Sequence, residues 1–292
     1  MNSALKMSIE GSSRRNFPRY GWAGLGAVVV VEILLFAKVA AVGVYFTPLV
    51  WTAYILFMDA LNFHDHGTSL IVSRRSEFFA MLPWSILCWT VFEAYNLSLH
   101  NWTYVGLPEN IILRYAGYAW SFATIFPAVL ETSEWIEHNI GRDRAVGTAI
   151  PLQVLIVSAA AGLAALLTPL LVSPEIGSRL FGLVWIGFFF LLDPINYLLK
   201  GKSVIQECLG GNYARPIALA LSGLACGVLW EFWNFWATAK WLYSVPLSFA
   251  GPKLFEMPLL GYLGFIPFAF ECSAMQDLLV AVLPMQPGAP RS

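Results

Sequence analysis

Leu49-Val50-Trp51-x-x-Tyr54-x-x-x-x-Asp59-x-x-Asn62-Phe63-x-x-x-Gly67-x-Ser69 returns as Leu183-Val184-Trp185-x-x-Phe188-x-x-x-x-Asp193-x-x-Asn196-Tyr197-x-x-x-Gly201-x-Ser203, always 134 residues later. A second block follows in each half. Cys88-x-x-x-Phe92-Glu93-x-Tyr95-Asn96 with Trp102-x-Tyr104 and Pro108 matches Cys226-x-x-x-Trp230-Glu231-x-Trp233-Asn234 with Trp241-x-Tyr243 and Pro246, at an offset of 138 to 139. A third pairs Gly117-Tyr118 and Pro127-x-x-x-Glu131 with Gly261-Tyr262 and Pro267-x-x-x-Glu271. The repeated positions include Asp, Glu and Asn inside apolar segments, where polar side chains are costly. Duplicated apolar residues are a packing rule, whereas duplicated intramembrane carboxylates suggest a site.

Composition sets the solvent. Hydrophobic residues make up 58% of the 292 residues and charged residues 12%. Soluble domains sit nearer roughly 45–50% and 25%. The chain therefore reads as an integral membrane protein. A net charge of -1 implies no nucleic-acid partner. The four cysteines form no Cys-x-x-Cys pair, and Cys88, Cys226 and Cys272 lie in apolar stretches. They read as small buried residues rather than a disulfide frame or a zinc site. The basic first twenty residues precede a long apolar run, which reads as an uncleaved first span.

Eight apolar segments can be drawn, at roughly 21–43, 45–62, 79–97, 113–136, 148–171, 180–197, 216–237 and 257–283. Each approaches the ~20 residues that cross ~30 Å of hydrocarbon. The predicted fold class is all-α: about eight transmembrane helices as two parallel four-helix repeats, 21–146 and 147–284, with tails at 1–20 and 285–292. An even number of spans per repeat gives both halves one orientation and a pseudo-two-fold axis along the membrane normal. With cytoplasmic termini, twelve Lys and Arg fall inside, and only Arg114, Arg179, Lys240 and Lys253 fall outside. That bias predicts a multi-pass protein with both termini cytoplasmic.

Glu93 and Glu231 lie near the ends of their spans, each with an Asn three residues on, Asn96 and Asn234. The asparagines are expected to orient the glutamates, and Asn96 and Asn234 with Tyr95, Trp230, Trp233, Trp241 and Tyr243, all close in sequence, to bind the substrate. A carboxyl among aromatic walls suits proton transfer to an alkene, because π faces stabilise a developing carbocation. The plainer alternative is an interfacial aromatic belt with Glu and Asn joining helices. Glu131 and Glu271 each follow a proline by four residues. Proline bends a helix and frees a carbonyl there, so these acids are further catalytic candidates. Asp59 with Asn62 and Asp193 with Asn196 share helix faces and form either a cavity-facing polar cluster or a helix-end tie. Glu134 and Glu137 continue the Glu131 stripe and read as a solvated helix end. His64-Asp65-His66 has no counterpart in the second half, where Leu198-Leu199-Lys200 stands. With only His100 and His138 besides, no metal set is expected, and no cofactor. Lys38 reads as an intramembrane cation snorkelling to an interface. Lys253 and Glu256 read as charges at the outer mouth.

The run Trp230-Glu231-Phe232-Trp233-Asn234-Phe235-Trp236 with Lys240-Trp241, Phe255-Glu256-Met257-Pro258 and Gly261-Tyr262-x-Gly264-Phe265-x-Pro267-Phe268-Ala269-x-Glu271 resembles a group of bacterial polytopic inner-membrane proteins of uncharacterised activity. The tandem, aromatic-rich pattern with Pro and Glu also resembles the lycopene cyclase domain of carotenoid pathways. That domain has three spans per repeat, and its acid follows proline more closely. The first likeness implies a multi-pass protein of the bacterial inner membrane and no particular activity; the second implies intramembrane acid chemistry on an isoprenoid.

Taken together, these patterns predict an intramembrane enzyme acting on an isoprenoid or other unsaturated lipid by acid catalysis of the cyclase or isomerase type. Its partners would be membrane lipid and a lipid-soluble small molecule. Glu231, Glu93, Glu271 and Glu131 are the candidate acids. A proton-coupled transporter or channel, or a lipid- or pigment-binding subunit of a membrane complex, would show the same parallel repeats and buried carboxylates.

Overall fold

The computed structural model describes residues 16–141, 147–244 and 251–283. The tail at 285–292, most of the tail at 1–20, Arg142, Arg144 and Pro246 lie outside the described residues. In chain order the elements are α1 (Arg19–Phe36), α2 (Ala40–Val44), α3 (Phe46–His66), α4 (Leu70–Ser73), α5 (Arg75–Leu99), β1 (Trp102–Val105), α6 (Ile111–Ala123) and α7 (Ile125–Ile140). Then come α8 (Leu152–Leu171), α9 (Pro174–Arg179), α10 (Phe181–Leu198), α11 (Val204–Leu209), α12 (Ala214–Trp236), β2 (Lys240–Tyr243), β3 (Lys253–Leu254), β4 (Met257–Pro258), a 3-10 turn (Leu259–Gly264) and α13 (Phe265–Val282).

Seven of the described helices are long and apolar enough to cross a membrane: α1, α3, α5, α8, α10, α12, and the 3-10 turn with α13. The chain is an all-α, multi-pass membrane protein. α1 and α8 show why the solvent must be lipid. Their outward faces carry Val29, Val30, Ile33 and Phe36, and Ile156, Val157, Leu163 and Leu171, all exposed. Water would penalise each by about 1.5–3 kcal/mol relative to burial, whereas a bilayer does not.

The segment expected to span as one helix at 113–136 is divided at Thr124 into α6 and α7. Pro127 explains the break: its ring clashes with the carbonyl four residues back and it lacks an N–H to pair there. That carbonyl belongs to Ala123, the last residue of α6. Pro267 does the same in the other half. Its clash falls on Leu263, and the 3-10 turn gives way to α13 at Phe265. The first span also ends earlier than expected. α1 stops at Phe36, and Lys38 takes a left-handed backbone, φ 58°, in the turn to α2. Lys38 is thus a turn residue, not a cation within a span.

Glycines set the closest helix approaches. A Cβ on Gly162 of α8 would lie 2.4 Å from the Leu191 nitrogen of α10, and one on Gly24 of α1 would lie 2.7 Å from the Ala53 carbonyl of α3. Small residues at crossings are the usual means of helix contact in lipid. α7, α12 and α13 pack centrally with α3 and α10. Their core holds Trp51, Phe92 and Phe126, and also the fully buried Glu131, Glu231 and Glu271. Cys88, Cys226 and Cys272 are buried free thiols.

Candidate functional site

At one end of the helices β1 and β2 form an antiparallel ribbon. Trp102 pairs with Tyr243, Thr103 with Leu242, Tyr104 with Trp241 and Val105 with Lys240. The sequence repeat equates Trp102 with Trp241 and Tyr104 with Tyr243. Each half's Trp therefore faces the other half's Tyr, so the ladder is self-complementary about Thr103 and Leu242.

Each strand is pinned by an asparagine from the preceding helix. Asn96 Nδ2 donates to the Trp102 carbonyl at 2.9 Å, and its Oδ1 accepts from the Trp102 and Asn101 amides at 3.0 and 2.8 Å. Asn234 repeats this on Trp241, with 2.9 Å to the carbonyl and 3.0 Å from the amide. The asparagines thus hold strand backbone; they do not orient the glutamates directly, as the sequence reading had them do. Pinning the strand places the tyrosine two residues on against the glutamate. Tyr104 Oη donates to Glu93 Oε1 at 2.5 Å, and Tyr243 Oη to Glu231 Oε1 at 2.6 Å. Trp89 and Trp102 also donate to Glu93 Oε1, at 2.9 and 3.2 Å. Trp241 instead donates to the Tyr243 hydroxyl at 2.9 Å, and Glu231 Oε2 is left without a hydrogen bond. Burial, then the neighbouring glutamate charge, pushes the Tyr104 and Tyr243 phenols well above their ordinary range. Both tyrosines keep their protons and act as donors.

Tyr104 and Tyr243 line a cavity of about 140 Å³ with Trp89, Trp102, Trp185, Trp230, Trp241 and Phe268 among its walls. Of the residues expected to bind substrate, Trp230, Trp241 and Tyr243 are on this wall, and Asn96 and Asn234, bound to strand backbone, are not. Tyr95 and Trp233 are elsewhere. Tyr95 donates to the Leu166 carbonyl at 3.2 Å, and Trp233 packs on Trp51 and donates to Glu32 at 2.9 Å. Sequence reading passed over Trp185 and Phe268, because wall residues from α10 and α13 lie far from either glutamate along the chain. It also gave Tyr104 no role, though the repeated Trp-x-Tyr was the available signal.

The remaining carboxylates fall into different settings. Asp59 accepts from Tyr20 Oη at 2.6 Å, Ser69 Oγ at 3.0 Å and the Ile71 amide at 2.6 Å. Asp193 accepts from Ser203 Oγ at 2.6 Å and the Val204 and Ile205 amides at 2.7 and 3.2 Å. Ser69 and Ser203 cap α4 and α11. The Asp of each repeat therefore anchors the short helix that follows its span. Asn62 donates to the Glu131 carbonyl at 2.9 Å and to its Oε2, while Asn196 donates to the Ala274 carbonyl at 2.8 Å. These four residues tie helices together and lie away from the aromatic cavity. Glu271 Oε1 accepts from the Phe188 amide at 3.1 Å, and its Oε2 has no partner.

A second cavity, about 420 Å³, lies at the opposite end and is lined by Arg74, Lys202, Arg215, Glu134, Glu137 and Gln276 among others. Arg74 pairs with Glu134, and Arg215 with Asp277 and Glu207. Glu134 is therefore an ion-paired wall residue rather than merely a solvated end. Glu256 approaches Lys240 at 3.9 Å, while Lys253 sits in β3 with its side exposed. At the polar-cavity end, whose lining includes His138, His66 stacks on His138 at 4.3 Å, and His64 contacts Asp65 at 2.6 Å.

No known protein family, curated protein or solved structure matches this chain.

Proposed function

We propose that the protein is an intramembrane enzyme that acts on the unsaturated end of a lipid, of isoprenoid type, by acid catalysis. The carrying observation is the pair of carboxyls, Glu93 and Glu231, each joined through a tyrosine hydroxyl to an aromatic cavity. In this reading Glu231 takes up a proton and the Tyr243 hydroxyl turns from it to the cavity. The phenol then protonates an alkene carbon as the carboxyl gives its proton to the Tyr243 oxygen, reversing the hydrogen bond of the resting site. The cation forms facing Trp230, Trp241 and Phe268, whose π faces stabilise it. A neighbouring carbon then returns a proton through Tyr243 to the Glu231 carboxylate, which restores the acid and leaves a neutral alkene, so the net change is an isomerisation or a ring closure without redox chemistry. Size supports an end group. A cavity of about 150 Å³ admits a benzene-sized ligand, and this one is about 140 Å³. The enclosed aromatic part holds one five- or six-carbon unit, and the ligand continues outward along the open side of the cavity.

The arrangement proposed around this site is two parallel four-helix repeats, 21–146 and 147–284, with α6 and α7 together as the fourth of eight crossings. The self-complementary ribbon supports a pseudo-two-fold axis between Thr103 and Leu242. The excess of Lys and Arg at the end away from the ribbon supports cytoplasmic termini. The test is to replace Glu231 and Glu93 singly by Gln and profile membrane lipids by mass spectrometry. We expect at least one variant to reproduce the profile of the deletion strain. Wild-type profiles in both, beside an altered deletion, remove the acid role.

A proton-coupled carrier is the second reading, and one observation favours it. The polar cavity reaches Leu219 of α12, while the aromatic one reaches Trp230. Eleven residues separate them, about 16 Å of helix. Glu271 lies between the two cavities along α13, after Phe268 of the aromatic one and before Ser273 of the polar one. Uptake driven by a pH gradient in vesicles, lost in Glu271→Gln, would select this reading over the enzyme.

A further inference from the structure

We infer that the ligand of the aromatic cavity is an amphiphile whose head group is an anion. The inference rests on the reading of that cavity as a lipid site. Its described wall carries two charged side chains, Arg114 and Lys240, and both are cations. The acids Glu93 and Glu231 stand behind Tyr104 and Tyr243 and do not reach the wall. Both cations sit where the chain leaves the spans: Arg114 in the first turn of α6 and Lys240 at the start of β2. Positive charge is scarce at this end. With Lys38 in the turn after α1, five of the 17 Lys and Arg stand at it, and two of those five line this one cavity.

The hydrogen bonding of the two cations leaves capacity for a ligand. Arg114 uses Nε on the Pro108 carbonyl at 2.9 Å, which leaves the terminal fork of the guanidinium for an oxyanion. Lys240 Nζ donates to the Phe235 carbonyl at 3.1 Å, lies 5.4 Å from the centre of that ring, and meets Glu256 at 3.9 Å. An ammonium has three donors, so one carbonyl and a distant carboxylate do not saturate it. Tail and head are thus recognised by different parts of one cavity: π faces at depth and two cations at the rim. A carboxylate or phosphate on a lipid meets both demands. A neutral hydrocarbon meets only the first.

The experiment uses retinol and retinoic acid, which share one isoprenoid chain and differ in head group. The full-length protein in detergent is titrated with each, reading energy transfer from tryptophan to the polyene. Wild type should bind retinoic acid about tenfold more tightly than retinol. Arg114→Gln and Lys240→Gln should each reduce that preference severalfold while leaving retinol affinity unchanged, which also shows that the variants fold. Inorganic phosphate should displace neither probe at millimolar concentration. Equal binding of both probes by wild type, or a preference that survives both substitutions, overturns the anionic head group and leaves the lipid reading standing. Displacement of retinoic acid by phosphate alone overturns the amphiphile in favour of a free anion. Failure of wild type to bind either probe removes the lipid reading and this inference with it.

Discussion

Trp102 and Tyr243 face each other across the β-ribbon, and Tyr243 donates its hydroxyl to Glu231 at 2.6 Å. The strand of one repeat therefore braces the residue that holds the other repeat's carboxyl. Tyr104, opposite Trp241, does the same for Glu93 at 2.5 Å. The ribbon couples the two half-sites through backbone pairing.

Removing the Tyr243 hydroxyl tests that coupling. Glu231 Oε2 already lacks a partner, so Tyr243→Phe leaves the buried carboxyl with no donor. Stranding a buried polar group costs about 1–3 kcal/mol. We expect Tyr243→Phe to lower stability in detergent by that amount, and less in a Glu231→Gln background. Additive losses in the double variant would show that the hydroxyl and carboxyl do not interact.

The asparagine pins should matter more than their distance from the cavity suggests. Asn234→Ala removes a donor to, and an acceptor from, the Trp241 backbone. We expect a loss of about 1–3 kcal/mol, together with weaker retinol binding, since Trp241 and Tyr243 would no longer be held on the wall. Asn234→Asp keeps the acceptor and should lose less. A stable Asn234→Ala with unchanged binding would refute the pinning role.

High pH should unfold the protein through these tyrosines. Their phenols are raised above the ordinary value of about 10. A group raised on folding gives stability that is intact below the unfolded pKa and lost as pH climbs beyond it, because the unfolded chain releases a proton that the folded chain keeps. Stability should fall above about pH 10. Tyrosinate absorbance reads this directly. Tyr104→Phe and Tyr243→Phe should leave the amplitude before unfolding unchanged, because neither residue ionises while folded. An amplitude reduced by one tyrosine would contradict this.

Helix contacts give a fourth expectation. Gly162→Ala would put a methyl 2.4 Å from the Leu191 nitrogen, while nothing lies within 4 Å of the same addition at Gly26. Overpacking against backbone costs about 1–3 kcal/mol. Ala for Gly at an open helical site gains up to about 1 kcal/mol. Thermal unfolding in detergent should therefore separate the two substitutions in sign. A neutral Gly162→Ala would mean that α8 and α10 do not meet as described.

Much of this was legible in the sequence. Periodic apolar runs gave the long helices, and the repeat marked the Glu93 and Glu231 settings, since costly residues are repeated where both halves need them. Pro127 and Pro267 marked the two breaks. What the sequence hid was direction. Asp59 and Asn62 share a face in any helix, but only packing shows that the Asp turns to the next short helix and the Asn to α7. Likewise, Asn96 and Glu93 lie one turn apart, which suggests that one orients the other. The folded loop instead returns Trp102 to the asparagine and Tyr104 to the glutamate. A long-range return of this kind leaves no period to read.

The central claim is that Glu231 delivers a proton to an alkene in the aromatic cavity. The most direct measurement is solvent exchange: the protein is reconstituted in vesicles with the isoprenoid fraction of a bacterial membrane, incubated in D2O, and the recovered lipids are weighed by mass spectrometry. The account requires deuterium in an unsaturated lipid with wild type, and its loss with Glu231→Gln. Unlabelled lipid with wild type, or equal labelling in Glu231→Gln, would contradict it.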